Sequence, residues 1–216
     1  MNRQLVLIVG AGLGRRMGGA KLFLHHQGRG FLAQILARCK ESGSPWVLVY
    51  PRGKAERVEE LLASIGDVTP ALAMVEGDGT QPMLGSVQTG LKAAKAAGAI
   101  SNAGSSPDGC LGCWVWPVDA PGISAQGWRE AVATVQAQPD QVWKLQSNGK
   151  TGHPSWFPDW AVEIIIQGDW PDGLLGLLAG IKEKIRNIEL SGENLRDFNT
   201  PEELAQWGVD SGKRKG

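Results

Sequence analysis

Short apolar runs alternate with amphipathic stretches along most of the chain. The runs with the length of buried strands are residues 5–9, 46–50, 71–75, 113–118, 142–145 and 185–190. Apolar side chains recur at helical spacing within residues 31–39, 58–65, 83–94, 128–135 and 160–182, the last with a break near Pro171. Because strands alternate with helices, we predict an α/β fold. Its three layers would be a mostly parallel, Rossmann-like sheet with helices on both faces.

Neither a linker nor a change of composition divides the sequence. We therefore predict one domain over residues 1–210, followed by a polar tail at 211–216. Thr200 and Glu203 have the spacing of a capping box, and Pro201 suits the first helical position. These three residues predict a last helix within the domain.

The composition excludes several classes of partner. The 216 residues include 22 Lys and Arg and 22 Asp and Glu, so the net charge is zero. Neutrality does not favour a nucleic-acid partner or a polybasic membrane anchor. No apolar stretch reaches the roughly 20 residues of a membrane helix, so we expect a cytoplasmic protein with no membrane partner. Three cysteines do not suggest a disulfide framework, and Cys110 and Cys113 lack the further ligands of a zinc site.

The first predicted strand runs directly into a glycine-rich loop at residues 10–21. Glycines let backbone amides approach phosphate oxygens, and Arg16 and Lys21 add positive charge, so the loop suits a polyphosphate. It is not a P-loop, because Leu22 follows Lys21 where Ser or Thr is required. The dinucleotide fingerprint also fails, because Arg15 occupies the position of its third glycine.

Two other groups of oxygen-bearing side chains follow predicted strands. Asp119 comes directly after the strand at 113–118, and Asp197 and Asn199 follow the strand at 185–190. Ligands of open α/β sheets bind beyond the carboxyl ends of the strands. Since Mg²⁺ prefers oxygen ligands and bridges phosphates, a carboxylate at the position of Asp119 can ligate Mg²⁺.

The glycine loop resembles the L-A-A-G-x-G-x-R-M-G-x-x-K signature of the MobA-like nucleotidyltransferases. The matching residues are Gly12, Gly14, Arg16, Met17, Gly18 and Lys21. Residues 21–32 are similar to the molybdenum cofactor cytidylyltransferase (MocA-like) branch. Gly10 replaces the first Ala of the signature, and Arg29 and Gly30 replace Lys-Pro. The resemblance implies a sheet of the nucleotide-diphospho-sugar transferase type.

The resemblance also implies roles for individual residues. Arg16, Lys21 and Asp119 would be catalytic, and Asp119, Asn199 and Asp197 would hold Mg²⁺, with Asn199 where the family has its second Asp. Residues expected to bind the nucleotide are Ala11, Gly12, Leu13, Gly14, Gly85 and Ser86. His153, within a segment that resembles G-H-P-x-x-F, would lie on the acceptor side.

The implied reaction moves a nucleoside monophosphate from an NTP to a small phosphorylated acceptor and releases pyrophosphate. Ala11 is typical of CTP-dependent members, which favours CTP and molybdopterin. The family's G-D-x-G-A-R motif is broken after Asp169, so sugar-phosphate or other alcohol-phosphate acceptors stay open. Two other classes are a nucleotide-binding regulator that has lost the chemistry and a nicotinamide dehydrogenase; the broken dinucleotide fingerprint disfavours the second.

Overall fold

The computed structural model describes residues 4–14, 17–26, 28–100, 110–200 and 202–203. The strands are β1 (Leu5–Val9), β2 (His25–His26), β3 (Arg29–Gly30), β4 (Trp46–Pro51), β5 (Ala73–Gly77), β6 (Gly112–Pro117), β7 (Val142–Ser147), β8 (Lys150–Pro158) and β9 (Ile185–Glu189). The helices are α1 (Phe31–Ser42), α2 (Ala55–Ile65), α3 (Met83–Ala96), α4 (Ala125–Ala137), α5 (Asp159–Gln167) and α6 (Gly173–Gly180). The predicted polar tail at 211–216 lies outside the described residues.

Seven strands form one sheet in the order β5-β4-β1-β6-β8-β7-β9. Strand β1 lies in the middle and is parallel to β4 and β6, and β4 is parallel to β5. Strand β8 runs antiparallel between β6 and β7, while β9 is parallel to β7. Every residue of β1 is buried, as expected for a strand with helices on both faces.

Helices cover both faces of this sheet. Apolar residues of α1, α2 and α4 pack with one set of strand side chains, and those of α3, α5 and α6 pack with the other. On the first face the ring of Trp128 packs against the rings of Trp114 and Trp116, and Trp114 also packs against Trp156. The centroid distances are 5.0–5.7 Å. Burial of such large rings is a major source of core stability. The predicted three-layer α/β fold with a mostly parallel sheet is thus confirmed.

Among the strands of the seven-stranded sheet, β8 is the one that the sequence pattern does not predict. Its first half contains Gly152, His153 and Pro154, which carry turn and loop preferences. The pairing of β7 with β8 shifts register between Lys144 and Leu145, so the polar half of β8 lies beside a strand irregularity. The predicted strand at 71–75 also starts later, at Ala73, and continues to Gly77.

None of the described helices combines the length and apolar character needed to cross a membrane.

Asp159, the first residue of α5, makes the stability of the fold depend on pH. Burial, with Glu163 and Asp140 nearby, raises the pKa of Asp159 to about 6 from 3.8, and its Oδ1 has no hydrogen-bond partner among the described residues. Between about pH 4 and 6 the folded state keeps a proton that the unfolded chain loses, so stability falls as pH rises. We expect Asp159→Asn to stabilise the protein at pH 8 by about 1 kcal/mol, after allowance for partial exposure.

Chemical denaturation at pH 4.5 and pH 8 measures this effect. Asp169→Asn removes a charge from an exposed loop position and is the matched control. Equal changes in the free energy of unfolding at both pH values for Asp159→Asn would contradict the assignment.

Candidate active site

Three side chains from distant parts of the sequence meet beyond the carboxyl ends of β1, β6 and β9. Lys21 Nζ lies 2.6 Å from Asp119 Oδ2 and 2.7 Å from Asn199 Oδ1. The Lys21 and Asp119 side chains are each 17% exposed. The predicted catalytic and metal-binding residues Lys21, Asp119 and Asn199 are therefore adjacent, at the edge of the sheet where ligands bind.

The glycine loop after β1 carries Lys21 to this position. Gly10 N donates to Val49 O at 2.8 Å, which continues the parallel pairing past the end of the strand. Gly14 has a φ of +57°, and a Cβ atom there would lie 1.9 Å from Gly19 O, so this turn requires glycine. A 3-10 turn at Lys21–Phe23 follows, with Leu22 buried beneath it. Arg16, the other predicted base, lies outside the described residues.

The loop after β6 fixes Asp119. Val118 N donates to Val9 O at 3.0 Å, which ties the start of this loop to the end of β1. Trp116 Nε1 donates to Ala120 O at 2.8 Å, and Ala120 N donates to Pro117 O at 3.2 Å. Hydrogen bonds on both sides of Asp119 therefore hold its backbone against the first loop.

The loop after β9 is docked onto the loop of Asp119 by its own backbone and by Glu193. Phe198 N donates to Asp119 O at 3.1 Å, and the buried Phe198 ring packs on Phe31 with centroids 5.5 Å apart. Glu193 accepts from Ser124 N at 2.7 Å and from Ser124 Oγ, and Ser124 caps α4. A carboxylate at a helix N-terminus is favourable, so Glu193 anchors the segment that delivers Asn199.

We expect Glu193→Ala to lower the free energy of unfolding by about 1–2 kcal/mol, because two donors of the α4 cap lose their acceptor. Thermal and urea denaturation measure the effect. Glu183→Ala is the control, because the Glu183 side chain bonds to no other described residue. A loss of equal size in both variants would contradict the anchoring role of Glu193.

Asn199 is held on three sides. Its Nδ2 donates to Asp197 Oδ2 at 2.6 Å, and its backbone N donates to Glu203 Oε2 at 2.6 Å. Glu203 Oε2 also accepts from Thr200 N at 3.1 Å, and Glu203 N donates to Thr200 Oγ1 at 3.3 Å. This reciprocal pair is the predicted capping box. Asp197 is exposed and contacts Asn199 instead of Lys21.

The predicted nucleotide-binding residues lie around the start of the glycine loop. A Cβ atom at Gly77 would lie 2.5 Å from Ala11 Cβ and 3.4 Å from Ser86 Oγ, so Ala11 and the buried Ser86 both face the end of β5. A Cβ atom at Gly79 would lie 2.4 Å from Ala11 O and 2.9 Å from Leu13 Cγ. The β5–α3 loop therefore approaches the glycine loop closely and forms one wall of the site.

The remaining members of this group differ in exposure. Gly12 is exposed, Leu13 is 36% exposed and Gly14 is partly exposed, so this stretch of backbone is open to a ligand. Gly85 lies in the first turn of α3, where a Cβ atom would meet Gln81 Oε1 at 2.9 Å.

A cavity of about 710 Å³ opens beside Asp197 and extends over the β7–β8 hairpin. Its lining includes His153, Lys144 and Lys150. His153 N donates to Leu195 O at 3.4 Å, and its Nδ1 is buried without a hydrogen-bond partner within the described chain. Burial lowers the pKa of His153, opposed by Asp119 and Asp197 and aided by Lys144. The imidazole therefore favours its neutral form.

Sequence reasoning missed Lys144 and Lys150. Lys144 lies on β7 and Lys150 begins β8, the strand that the pattern did not predict. Lysines at strand ends usually face solvent, so only the observed pairing of the two strands identifies them as lining residues.

The donor set fits Mg²⁺. Asp119 Oδ2 and Asn199 Oδ1 converge on one cationic nitrogen at 2.6 and 2.7 Å, and both are oxygen donors of the kind that Mg²⁺ prefers. Across the part of the chain that the structure describes, no cluster of three or more His, Cys, Asp and Glu side chains suits a metal ion. Asp119 and Asn199 would thus supply two protein ligands, with further oxygens from phosphates and water.

Comparison with protein families assigns most of the chain. The model of the MobA-like NTP transferase domain matches residues 6–167. This range contains β2 to β8 and all of β1 except Leu5, and it includes the glycine loop and Asp119. Comparison with curated protein sequences finds no significant match.

Solved structures share the fold at low sequence identity. Rv0371c from Mycobacterium tuberculosis H37Rv is 18% identical, with a TM-score of 0.72 over 95% of this chain and 97% of Rv0371c. The structure of Rv0371c in complex with manganese is 14% identical, with a TM-score of 0.69 over 96% of this chain and 98% of the other. 4-Diphosphocytidyl-2C-methyl-D-erythritol synthase from Anaerococcus prevotii is 11% identical, with a TM-score of 0.65 over 95% of this chain and 96% of the synthase. CMP:2-keto-3-deoxy-manno-octonic acid synthetase complexed with CTP is 11% identical, with a TM-score of 0.65 over 94% of this chain and 96% of the synthetase. At these identities the likeness shows the fold alone.

Proposed function

Because the chain belongs to the MobA-like NTP transferase family, we propose that it moves a nucleoside monophosphate from an NTP, with CTP favoured, to a small phosphorylated acceptor. Nucleotidyl transfer is the reaction type of the family. The convergence of Lys21, Asp119 and Asn199 beside the glycine loop carries the proposal. A pair of oxygens that suits a cation and the positive charge of Lys21 lie next to amides that suit phosphate, which supports the proposal.

The proposed reaction needs positioning and charge neutralisation more than a nucleophilic side chain. An acceptor phosphate oxygen attacks the α-phosphorus, and the bond from this phosphorus to the bridging oxygen of the pyrophosphate breaks. The loop amides and Lys21 hold the triphosphate, and Arg16 adds a second positive charge. Mg²⁺ held by Asp119 and Asn199 would supply neutralisation of the charge on the phosphates.

The preference for CTP rests on the small wall around Ala11. Gly77 and Gly79 approach Ala11 so closely that a Cβ atom on either would collide with it, and the exposed backbone of Gly12 lies next to this close contact. A pyrimidine needs less space than a purine. One structural neighbour was solved with CTP, which supports the same choice.

The acceptor is proposed to bind in the cavity beside His153. Lys144 and Lys150 supply positive charge to its lining, and neither forms an ion pair with another described residue. The carboxylates of the lining accept hydrogen bonds from other groups: Glu193 from Ser124 N, Glu203 from Asn199 N, and Asp197 from Asn199 Nδ2. The side of the cavity lined by Lys144 and Lys150 therefore suits an anionic acceptor. Molybdopterin is the first candidate, as expected for the MocA-like branch, and sugar phosphates are the second.

Pyrophosphate release tests the proposal directly. The protein is incubated with Mg²⁺, each of the four NTPs, and either molybdopterin or a panel of sugar 1-phosphates. We expect release with CTP and one phosphorylated acceptor, and loss of release on addition of EDTA. If no pair of NTP and acceptor gave pyrophosphate release and no NTP bound, the proposal would be overturned.

A nucleotide-binding regulator is the alternative. Asn199 brings no charge to the site, and Lys21 is paired with Asp119, so the site carries less negative charge for a metal than two aspartates would. This alternative predicts NTP binding without pyrophosphate release in the same experiment.

A further inference from the structure

The amide of Asn199 lies between a cation and an anion. Its Oδ1 accepts from Lys21 Nζ at 2.7 Å, and its Nδ2 donates to Asp197 Oδ2 at 2.6 Å. The two ends of an amide are chemically distinct, because only the oxygen accepts and only the nitrogen donates. An ionised carboxylate only accepts, so Asp197 holds the nitrogen end. The oxygen end is thereby turned toward Lys21 and Asp119.

The backbone of Asn199 is already fixed by other groups. Its N donates to Glu203 Oε2 at 2.6 Å, and the preceding Phe198 N donates to Asp119 O at 3.1 Å. What these bonds leave undetermined is which end of the amide faces the site. Asp197 and Lys21 are the side chains that decide it.

We propose that Asp197 is a positioning residue, which keeps the oxygen of Asn199 directed at the cationic centre of the site, and that it is not itself a ligand of the metal. The inference rests on the proposed function, because that function makes this centre the place of a metal-bound NTP. It replaces the expectation that Asp197 shares the metal with Asn199.

The same contact accounts for an amide at position 199. A carboxylate there would face Asp197 across a contact of about 2.6 Å between two oxygens. Two carboxylates offer only acceptors to each other and no donor, so they would repel at this distance. The pair of Asp197 and Asn199 avoids this repulsion and still leaves an oxygen ligand for the cation.

Variants at position 197 separate the two roles. Asp197→Asn keeps an acceptor for Asn199 Nδ2 and removes only the charge, whereas Asp197→Ala removes both. Loss of a residue that orients a metal ligand typically costs 10–100-fold in metal affinity or activity. We therefore expect Asp197→Ala to weaken Mn²⁺ binding and lower kcat by about 10-fold, and Asp197→Asn to stay within about 2-fold of wild type. A direct ligand would lose about as much in the Asn variant as in the Ala variant.

Exchange of the two side chains is the second test. Asn199→Asp alone adds a charged ligand but removes the donor to Asp197 and sets two carboxylates about 2.6 Å apart. We expect the repulsion to outweigh the added charge and to weaken Mn²⁺ binding by about 10-fold. The double variant Asp197→Asn/Asn199→Asp restores a donor–acceptor pair, so we expect recovery to within about 3-fold of wild type. Asp169→Ala, at an exposed loop position, is the control for loss of a surface charge.

Mn²⁺ affinity is measured by calorimetry on the protein without nucleotide, and kcat and KM for the NTP are measured separately. The proposal is supported if Mn²⁺ affinity and kcat stay near the wild-type values in the Asp197→Asn variant and return close to them in the exchanged variant. Equal losses in Asp197→Asn and Asp197→Ala, an Asn199→Asp variant that binds Mn²⁺ more tightly than wild type, or a wild type that binds no Mn²⁺ would each overturn it. Absent turnover in wild type would instead refute the proposed function, while the Mn²⁺ affinities still decide the role of Asp197.

Discussion

An Asp119→Asn variant is expected to keep the wild-type fold and to lose kcat/KM by a factor of about 10²–10³, equivalent to about 3–4 kcal/mol of transition-state stabilisation. Asp119 brings the full negative charge that faces the cationic centre at 2.6 Å, while Asn199 brings only an amide oxygen. The Asn variant has nearly the same shape and can still accept from Lys21. The loss would therefore report the charge and not a packing defect.

Circular dichroism and thermal denaturation would show that the variant is folded, and pyrophosphate release would give kcat and KM. Asp172→Asn removes a charge from an exposed position before α6 and is the matched control. We expect the loss in Asp119→Asn to be reduced by raised Mg²⁺ if weak metal binding is its cause. Wild-type turnover in this variant would show that Asp119 is not part of the active site.

The central strands were predictable because burial on both sides leaves a simple pattern. The runs at 5–9 and 46–50 became β1 and β4 with bounds that match to within a residue, since uninterrupted apolar residues have no other stable arrangement in a layered fold. Strand β8 was missed because pairing with β6 and β7 outweighs the turn preferences of Gly152 and Pro154. Tertiary pairing of this kind leaves little trace in a single sequence.

The cluster of Lys21, Asp119 and Asn199 was predictable in outline from one rule of α/β sheets. Lys21 and Asn199 are 178 positions apart, yet both follow parallel strands whose carboxyl ends lie on one edge. The orientation of Asn199 was not predictable, because it depends on the contact with Asp197 at 2.6 Å. The proposed role of Asp197 departs from the sequence-based expectation for this reason.

The replacement of the family's first Ala by Gly10 does not indicate lost chemistry. A Cβ atom at Gly10 would meet Leu22 Cδ1 at 2.9 Å, and the end of a Leu side chain can move by a few tenths of an ångström. Either residue therefore suits this position. Gly14 is a glycine that the loop does require, because a Cβ atom there would meet backbone.

A Lys21→Met variant is expected to lose kcat/KM by a factor of about 10²–10³, because it removes the proposed charged contact to the phosphates in a partly dehydrated site. Met keeps the apolar stem of Lys21 beside Asp119 and removes the ammonium. The free energy of unfolding should fall by only about 1 kcal/mol, since the Lys21 and Asp119 side chains are both partly exposed.

The double variant Lys21→Met/Asp119→Asn separates this role from that of Asp119. If both residues act on the same phosphate–cation centre, the second substitution costs much less than it does alone, because groups that act as a unit are non-additive. Independent roles would instead multiply the two losses. Each factor is obtained from pyrophosphate release at saturating and at limiting NTP, with Lys182→Met as the control for loss of an exposed cation. Near wild-type kcat/KM in Lys21→Met would mean that its ion pair with Asp119 is only structural, and that the phosphates are held by the loop amides without it.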